Sequence, residues 1–475
     1  MLFNSFIFIL MFLPLSIAGY FLLNKRDHRM AEGFLLVMSL FFYAFNYPPY
    51  LLIILASIVV NYTLSRLMIS AGRRGQSSAD TAGNPLVKKI IFAAGILFNV
   101  GILGYYKYLD FTLWNINMVF GLDIALRNVV LPLGISFYTI QQLSYMIDTY
   151  KGDEVNYSFP DYALYVSFFP QLVAGPIVYH SELVPQIRDR GRQRINPENL
   201  MKGIIWFTRG LAKKVFLADR LGAGVQWGYG DVAALTSLDA WLVMICYSFQ
   251  LYFDFSGYSD MACGIAQMFN FELPQNFNSP YKSLSIRDFW KRWHMTLTRF
   301  LTRYLYIPLG GNRKGTARMA VNTMIVFFVS GVWHGANYTF VLWGILNGIL
   351  ILINRFCGKY VERVPGFIKW IVNFIIVTIL WGLFRASGIS QWIQLIKKSF
   401  SFDGLPVSTE LVSSFDAYLP MWLLLALSFG LCLLTENNYN KKIKINTINV
   451  VSGAVLLALC LFTLNRTSIF LYFNF

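Results

Sequence analysis

The chain reads as a series of apolar stretches of helical length parted by short polar ones. An apolar run of about 20 residues crosses a hydrocarbon layer as a helix. Candidate runs lie near 1–23, 33–47, 50–70, 90–109, 129–147, 161–179, 200–218, 238–268, 319–337, 338–356, 367–384, 418–434 and 447–465. This pattern predicts an all-α polytopic membrane protein, with some runs re-entrant or broken rather than full spans. Met1-Leu2-Phe3-Asn4 opens the first run without a basic segment or a small-residue cleavage site, so an uncleaved membrane helix is expected there rather than a secretory signal. No soluble domain and no internal repeat stand out, and the expectation is one membrane-embedded domain over residues 1–475.

Composition agrees: 56% of the 475 residues are hydrophobic and 13% charged, outside the range of ordinary soluble domains. The net charge of +16 would suggest nucleic acid in a soluble protein. Here the excess of cations in cytoplasmic loops accounts for it, so the expected partner is the lipid bilayer and not a nucleic acid. Lys25, Arg26 and Arg29 place the first loop inside, as do Arg73, Arg74, Lys88 and Lys89 around a small-residue loop. Arg355, Lys359 and Arg363, and then Lys441, Lys442 and Lys444, do the same later. Arg188–Arg220 holds nine Lys or Arg against three acids, and Lys282–Arg318 nine against Asp288 alone; both should face the cytoplasm. The five cysteines lack a C-x-x-C spacing, which argues against a disulfide framework and a zinc site.

The candidate chemistry centres on His334, inside MAVNTMIVFFVSGVWHGANYTFVLWGILNG. If the span begins near Arg318, His334 lies about 22 Å along it, where a titratable group marks a functional site by default. The alternative is a neutral imidazole hydrogen-bonded between helices. Asp254, Ser256 and Asp260 sit among aromatics in FQLYFDFSGYSDMA; they either bind a cation or an acceptor hydroxyl, or pair with arginine or cap a helix break. Phe168–Ile177, FFPQLVAGPI, either lines a cavity or packs against a neighbour. Ser285–Leu305 reads as one amphipathic helix at the membrane–water boundary, with Trp290, Trp293, Leu297, Leu301 and Tyr304 as its apolar stripe. Arg287, Lys291 and His294, at i, i+4 and i+7, share a face that meets either lipid phosphates or an anionic substrate. The turn LGGNRKG adds Arg313 and Lys314.

Taken together, FFPQLVAGPI, FQLYFDFSGYSDMA, NFNSPY at Asn276–Tyr281, RDFWKRWHMTLT at Arg287–Thr298, YLYIPLGGNRKG at Tyr304–Gly315, GVWHGANYTFVLWG at Gly331–Gly344 and FLYFNF at Phe470–Phe475 resemble the membrane-bound O-acyltransferases. The chain is most similar to their bacterial polysaccharide O-acetylation branch, typified by the alginate proteins. The branch that D-alanylates teichoic acid shares the RDFWKRWH-like and WHG-like blocks. The resemblance implies about eleven spanning helices plus re-entrant and in-plane helices around a central tunnel, in the bacterial cytoplasmic membrane. It also implies that His334 is the catalytic histidine and His294 the second signature histidine.

On that footing the expected reaction moves an acetyl group from acetyl-CoA, a substrate rather than a bound cofactor. Arg287, Lys291, Arg313 and Lys314 would meet its phosphates, and His334 would act as general base on an acceptor hydroxyl. Asn337, the Trp333 N–H or a backbone amide would face the oxyanion, and Asp254 is a further substrate-binding candidate. The family also implies an extracytoplasmic partner acetyltransferase and exopolysaccharide machinery. D-alanyl or longer acyl transfer is the alternative within the class; a transporter or flippase is the alternative outside it.

Overall fold

The computed structural model describes all residues except 74–83, 153–156, 403, 405, 441–442, 465–467, 469 and 472–475. Most of the small-residue loop, Lys441, Lys442 and the last residues of FLYFNF therefore lie outside the described residues, which are helical without strands. Among the described residues, five helices are long and apolar enough to cross a membrane: Pro49–Gly72, Pro85–Phe120, Gly315–His334, Tyr338–Phe356 and Gly366–Arg385. Phe8–Asn24, Tyr418–Leu433 and Thr447–Thr463 are apolar but shorter. The chain forms two compact units, Met1–Ile204 with Ala262–Pro274, and Ile205–Met261 with Gln275–Phe475.

The first unit contains α1 (Leu13–Asn24), α2 (His28–Ala44), α3 (Pro49–Arg73), α4 (Pro85–Leu103), α5 (Ile135–Lys151), α6 (Phe159–Ser167) and α7 (His180–Arg188). Punctuation follows local chemistry: Asp27 caps α2 through the Arg29 N–H, and Asn84 caps α4 just before Pro85. Where apolar surface gains nothing by leaving lipid, polar side chains hold helices together. Asn61 and Asn99 exchange amide hydrogen bonds between α3 and α4, at 3.2 and 2.6 Å. Gln142 on α5 donates to Ser57 Oγ at 3.0 Å and accepts from the Tyr162 hydroxyl at 3.3 Å. Every residue from Phe168 to Ile177 is buried. The Phe169 ring lies 5.2 Å from Phe12 and 5.5 Å from Phe42, so this irregular stretch is packed into protein, where membrane-depth backbone outside a helix is tolerated.

The second unit holds α8 (Ser237–Met268) as far as Met261, α9 (Ile286–Arg292), α10 (Met295–Leu301), α11 (Gly315–His334), α12 (Tyr338–Phe356), α13 (Gly366–Arg385), α14 (Tyr418–Leu433) and α15 (Thr447–Thr463). Its tightest joint is the α11–α12 hairpin. A Cβ on Gly331 would drive into the Phe340 carbonyl oxygen, and one on Gly344 into that of Phe327. Glycine at these two positions lets the backbones touch, which fixes where α11 ends and hence where His334 stands.

Two stability predictions follow from these contacts. Asn99→Leu leaves Asn61 facing an apolar group and should cost about 1 kcal/mol or more, read as a lower melting temperature in detergent. The double exchange Asn61→Leu/Asn99→Leu should recover most of that loss. Gly331→Leu cannot fit the hairpin and should yield protein that aggregates on gel filtration; a monodisperse, equally stable product would show that the helices can separate here.

Candidate active site

His334 is the final residue of α11, and the chain leaves it through an extended Gly335. Its ring is 4% exposed and held edge-on by aromatics, 5.3 Å from Trp343 and 5.2 Å from Phe384. The imidazole therefore sits in an aromatic collar at the end of a candidate membrane span.

His294 is placed differently. The single amphipathic helix expected over Ser285–Leu305 is broken into α9 and α10, because His294 takes a left-handed backbone with φ 45° and ψ 52°. A side chain with a Cβ holds that conformation only where its surroundings enforce it. Here Asn276 does so. Its carbonyl oxygen receives the Met295 N–H at 2.9 Å, and its side-chain oxygen accepts from Thr296 Oγ1 at 2.9 Å and lies 3.1 Å from His294 Nδ1. Asn278 N–H in the same strap donates to the Arg292 carbonyl. Since Asn276 Oδ1 is an acceptor, it fixes the proton on Nδ1 and leaves Nε2 as the basic nitrogen. Burial pushes the His294 imidazole down, to about 3, which keeps it neutral. The predicted apolar stripe also turns inward: Trp293, Leu297, Leu301 and Tyr304 are buried, with Trp293 against Trp381 at 4.8 Å. The stripe packs in protein.

The two histidines line one cavity of about 260 Å³. Arg287 and Lys291 line it too, so the break in the helix does not separate the residues that shared a face in the sequence. Thr298, Thr302, Tyr306, Thr323 and Ser330 supply hydroxyls, while Trp290, Leu301, Val326 and Phe327 supply apolar wall. Thr302–Tyr306 is a wide-turn π segment continuing α10, a departure from α geometry common at functional sites. Arg292 is tied to Asp288 at 2.9 Å. Arg287 and Lys291 make no ion pair among the described residues, which leaves both available to an anion. The cavity thus offers two imidazoles, two cations and a mixed polar and apolar wall.

The remaining sequence candidates lie elsewhere. Asn337 caps α12, accepting from Thr339 N at 3.0 Å and donating to the Ser387 carbonyl at 3.1 Å. Arg313 and Lys314 belong to the turn before α11, outside the lining of this cavity. Asp254 is 2.6 Å from Lys214 Nζ, which also pairs with Asp219 at 2.9 Å; Asp260 pairs with Lys213 at 2.7 Å. The carboxylates in the aromatic segment are therefore paired, with lysines as the partners. The clamp role of Asn276 was not read from the sequence, although NFNSPY stood out as a motif; the contact spans eighteen residues and a helix break. A further buried histidine, His180, sits 3.2 Å from Asp148 and 3.1 Å from the Tyr157 hydroxyl in the first unit. The sequence analysis did not single it out.

The family model for the membrane-bound O-acyltransferases matches residues 126–389, which take in both histidines and the cavity that they line. The peptidoglycan O-acetyltransferase of Helicobacter pylori is 36% identical, in a match covering 100% of this chain and 98% of that protein. The Pseudomonas aeruginosa protein named "Probable alginate O-acetylase AlgI" is 37% identical over 85% of this chain and 75% of its own length. A more distant relative is the teichoic acid D-alanyltransferase of Bacillus subtilis, 26% identical over 54% of this chain and 65% of that protein. By its sequence from end to end, this chain belongs to the membrane-bound O-acyltransferase family and is an acyltransferase of the membrane.

Proposed function

We propose that this acyltransferase takes an acetyl group from acetyl-CoA on the cytoplasmic side and delivers it for O-acetylation of an exported glycan, through an extracytoplasmic partner acetyltransferase. The observation that carries this reading is the shared cavity of His334, His294, Arg287 and Lys291. Two cations suit the phosphates of a coenzyme, and an imidazole suits proton transfer from a hydroxyl. The full-length likeness to a peptidoglycan O-acetyltransferase puts peptidoglycan first among acceptor polymers, with an alginate-type polysaccharide second. The bacterial cytoplasmic membrane is the location that gives such an enzyme both acetyl-CoA and an exported acceptor.

The chemistry is a direct transfer. The acceptor hydroxyl gives its proton to His334 as its oxygen attacks the thioester carbonyl. The tetrahedral intermediate then collapses, the C–S bond breaks, and the thiolate takes up the proton and leaves as free coenzyme. His294, neutral and held by Asn276, accepts a hydrogen bond at Nε2 and positions the donor arm. The apolar collar around His334 keeps water from competing with the acceptor.

The D-alanyl alternative rests on a lesser likeness and differs in its donor, an acyl-carrier protein rather than a soluble coenzyme. Purified protein in nanodiscs, incubated with radiolabelled acetyl-CoA and a hydroxyl acceptor, distinguishes them: thiol release with label transfer supports acetyl transfer, and no binding of acetyl-CoA overturns it.

In that assay His334→Ala should lower transfer by about 10²–10⁴-fold while the protein remains folded in the membrane. Full activity would remove His334 as the base. Arg287→Gln/Lys291→Gln should raise the KM for acetyl-CoA about tenfold or more with kcat nearly unchanged. An unchanged KM would place the phosphates elsewhere.

A further inference from the structure

A second cavity, of about 920 Å³, lies in the first unit. Its rim brings together two basic segments far apart in the sequence: Lys25, just after α1, and Arg190 and Arg194, just after α7. Its wall is apolar, built from Ile17, Phe21 and Leu22 on α1 and from Ile195. The cations around it differ from their neighbours. Arg188 is paired with Asp161, and Arg192 with Asp189 and Glu272. Lys25, Arg190 and Arg194 form no ion pair among the described residues. Three cations without an ion pair among the described residues line one cavity, an arrangement that suits an anion.

We propose that this cavity binds one anionic glycerophospholipid of the cytoplasmic leaflet. Its phosphate sits among Lys25, Arg190 and Arg194, and an acyl chain lies along Ile17, Phe21 and Leu22. Position and chemistry agree on this occupant. Lys25 ends an apolar helix whose Leu15 and Leu22 are 62% and 63% exposed, so cationic rim and apolar wall adjoin as headgroup and acyl chain do in a lipid. A soluble nucleotide or inorganic phosphate would satisfy the rim and leave the apolar wall unfilled. The site does not depend on the acetyl-transfer reading.

The test is native mass spectrometry of the full chain after delipidation and titration with phosphatidylglycerol or with phosphatidylcholine of the same acyl chains. Wild type should retain one phosphatidylglycerol in preference to phosphatidylcholine. Lys25→Gln/Arg190→Gln/Arg194→Gln should weaken it by about tenfold or more. Arg355→Gln/Arg363→Gln/Lys369→Gln, equally charge-reducing but distant in sequence, should retain it. Equal retention by the rim variant, an equal loss in the control, or no preference between the lipids overturns the proposal. So does complete displacement by glycerol phosphate or acetyl-CoA at matched concentration, which would assign the site to a soluble phosphate. Should the triple variant fail to fold, Arg194→Glu gives the same readout, because Arg194 is exposed at the rim.

Discussion

The contact of Gly331 with the Phe340 backbone, and of Gly344 with that of Phe327, is the constraint on which the active site depends. Lipid offers no hydrophobic drive to bring two helices together, so close van der Waals packing must do it. Two glycines bring α11 and α12 to backbone contact. That closeness sets Trp343 beside His334 and completes the aromatic collar around a group otherwise costly to hold in an apolar setting.

The second histidine obeys another logic. His334 is fixed by packing, whereas His294 is fixed by hydrogen bonds that hold a left-handed backbone open between two short helices. The two imidazoles consequently reach one cavity from elements of different rigidity: a long helix for the proposed base, a clamped kink for the group that would position the donor. A continuous helix through Ser285–Leu305 would give the residues one face but no break at which the Asn276 strap could dock.

Much of this was legible before any coordinates. Apolar length announced the helices, and the rarity of an imidazole in an apolar run singled out His334. The spacing of Arg287, Lys291 and His294 placed them together, and the structure keeps them on one cavity despite the broken helix. What escaped were contacts that local pattern does not encode. No glycine or proline marks the break at His294, because its conformation is imposed from Asn276, eighteen residues earlier. Asp254 stood out as an intramembrane acid, but Lys214 as its partner is forty residues away. The Asn337 side chain, a candidate oxyanion donor by sequence, caps α12 and reaches the Ser387 carbonyl, fifty residues later.

The Asp254–Lys214 pair also ties the middle of the chain to its C-terminal residues. Asp254 accepts a hydrogen bond from the Leu471 N–H, 217 residues later, and Ser468 donates to Asp219, the other partner of Lys214. Until those C-terminal residues are made, two of the hydrogen bonds to this ionic group lack their donors. A chain truncated before Ser468 would keep every long helix and the lysine's two ion pairs, yet leave both carboxylates short of one hydrogen-bond donor.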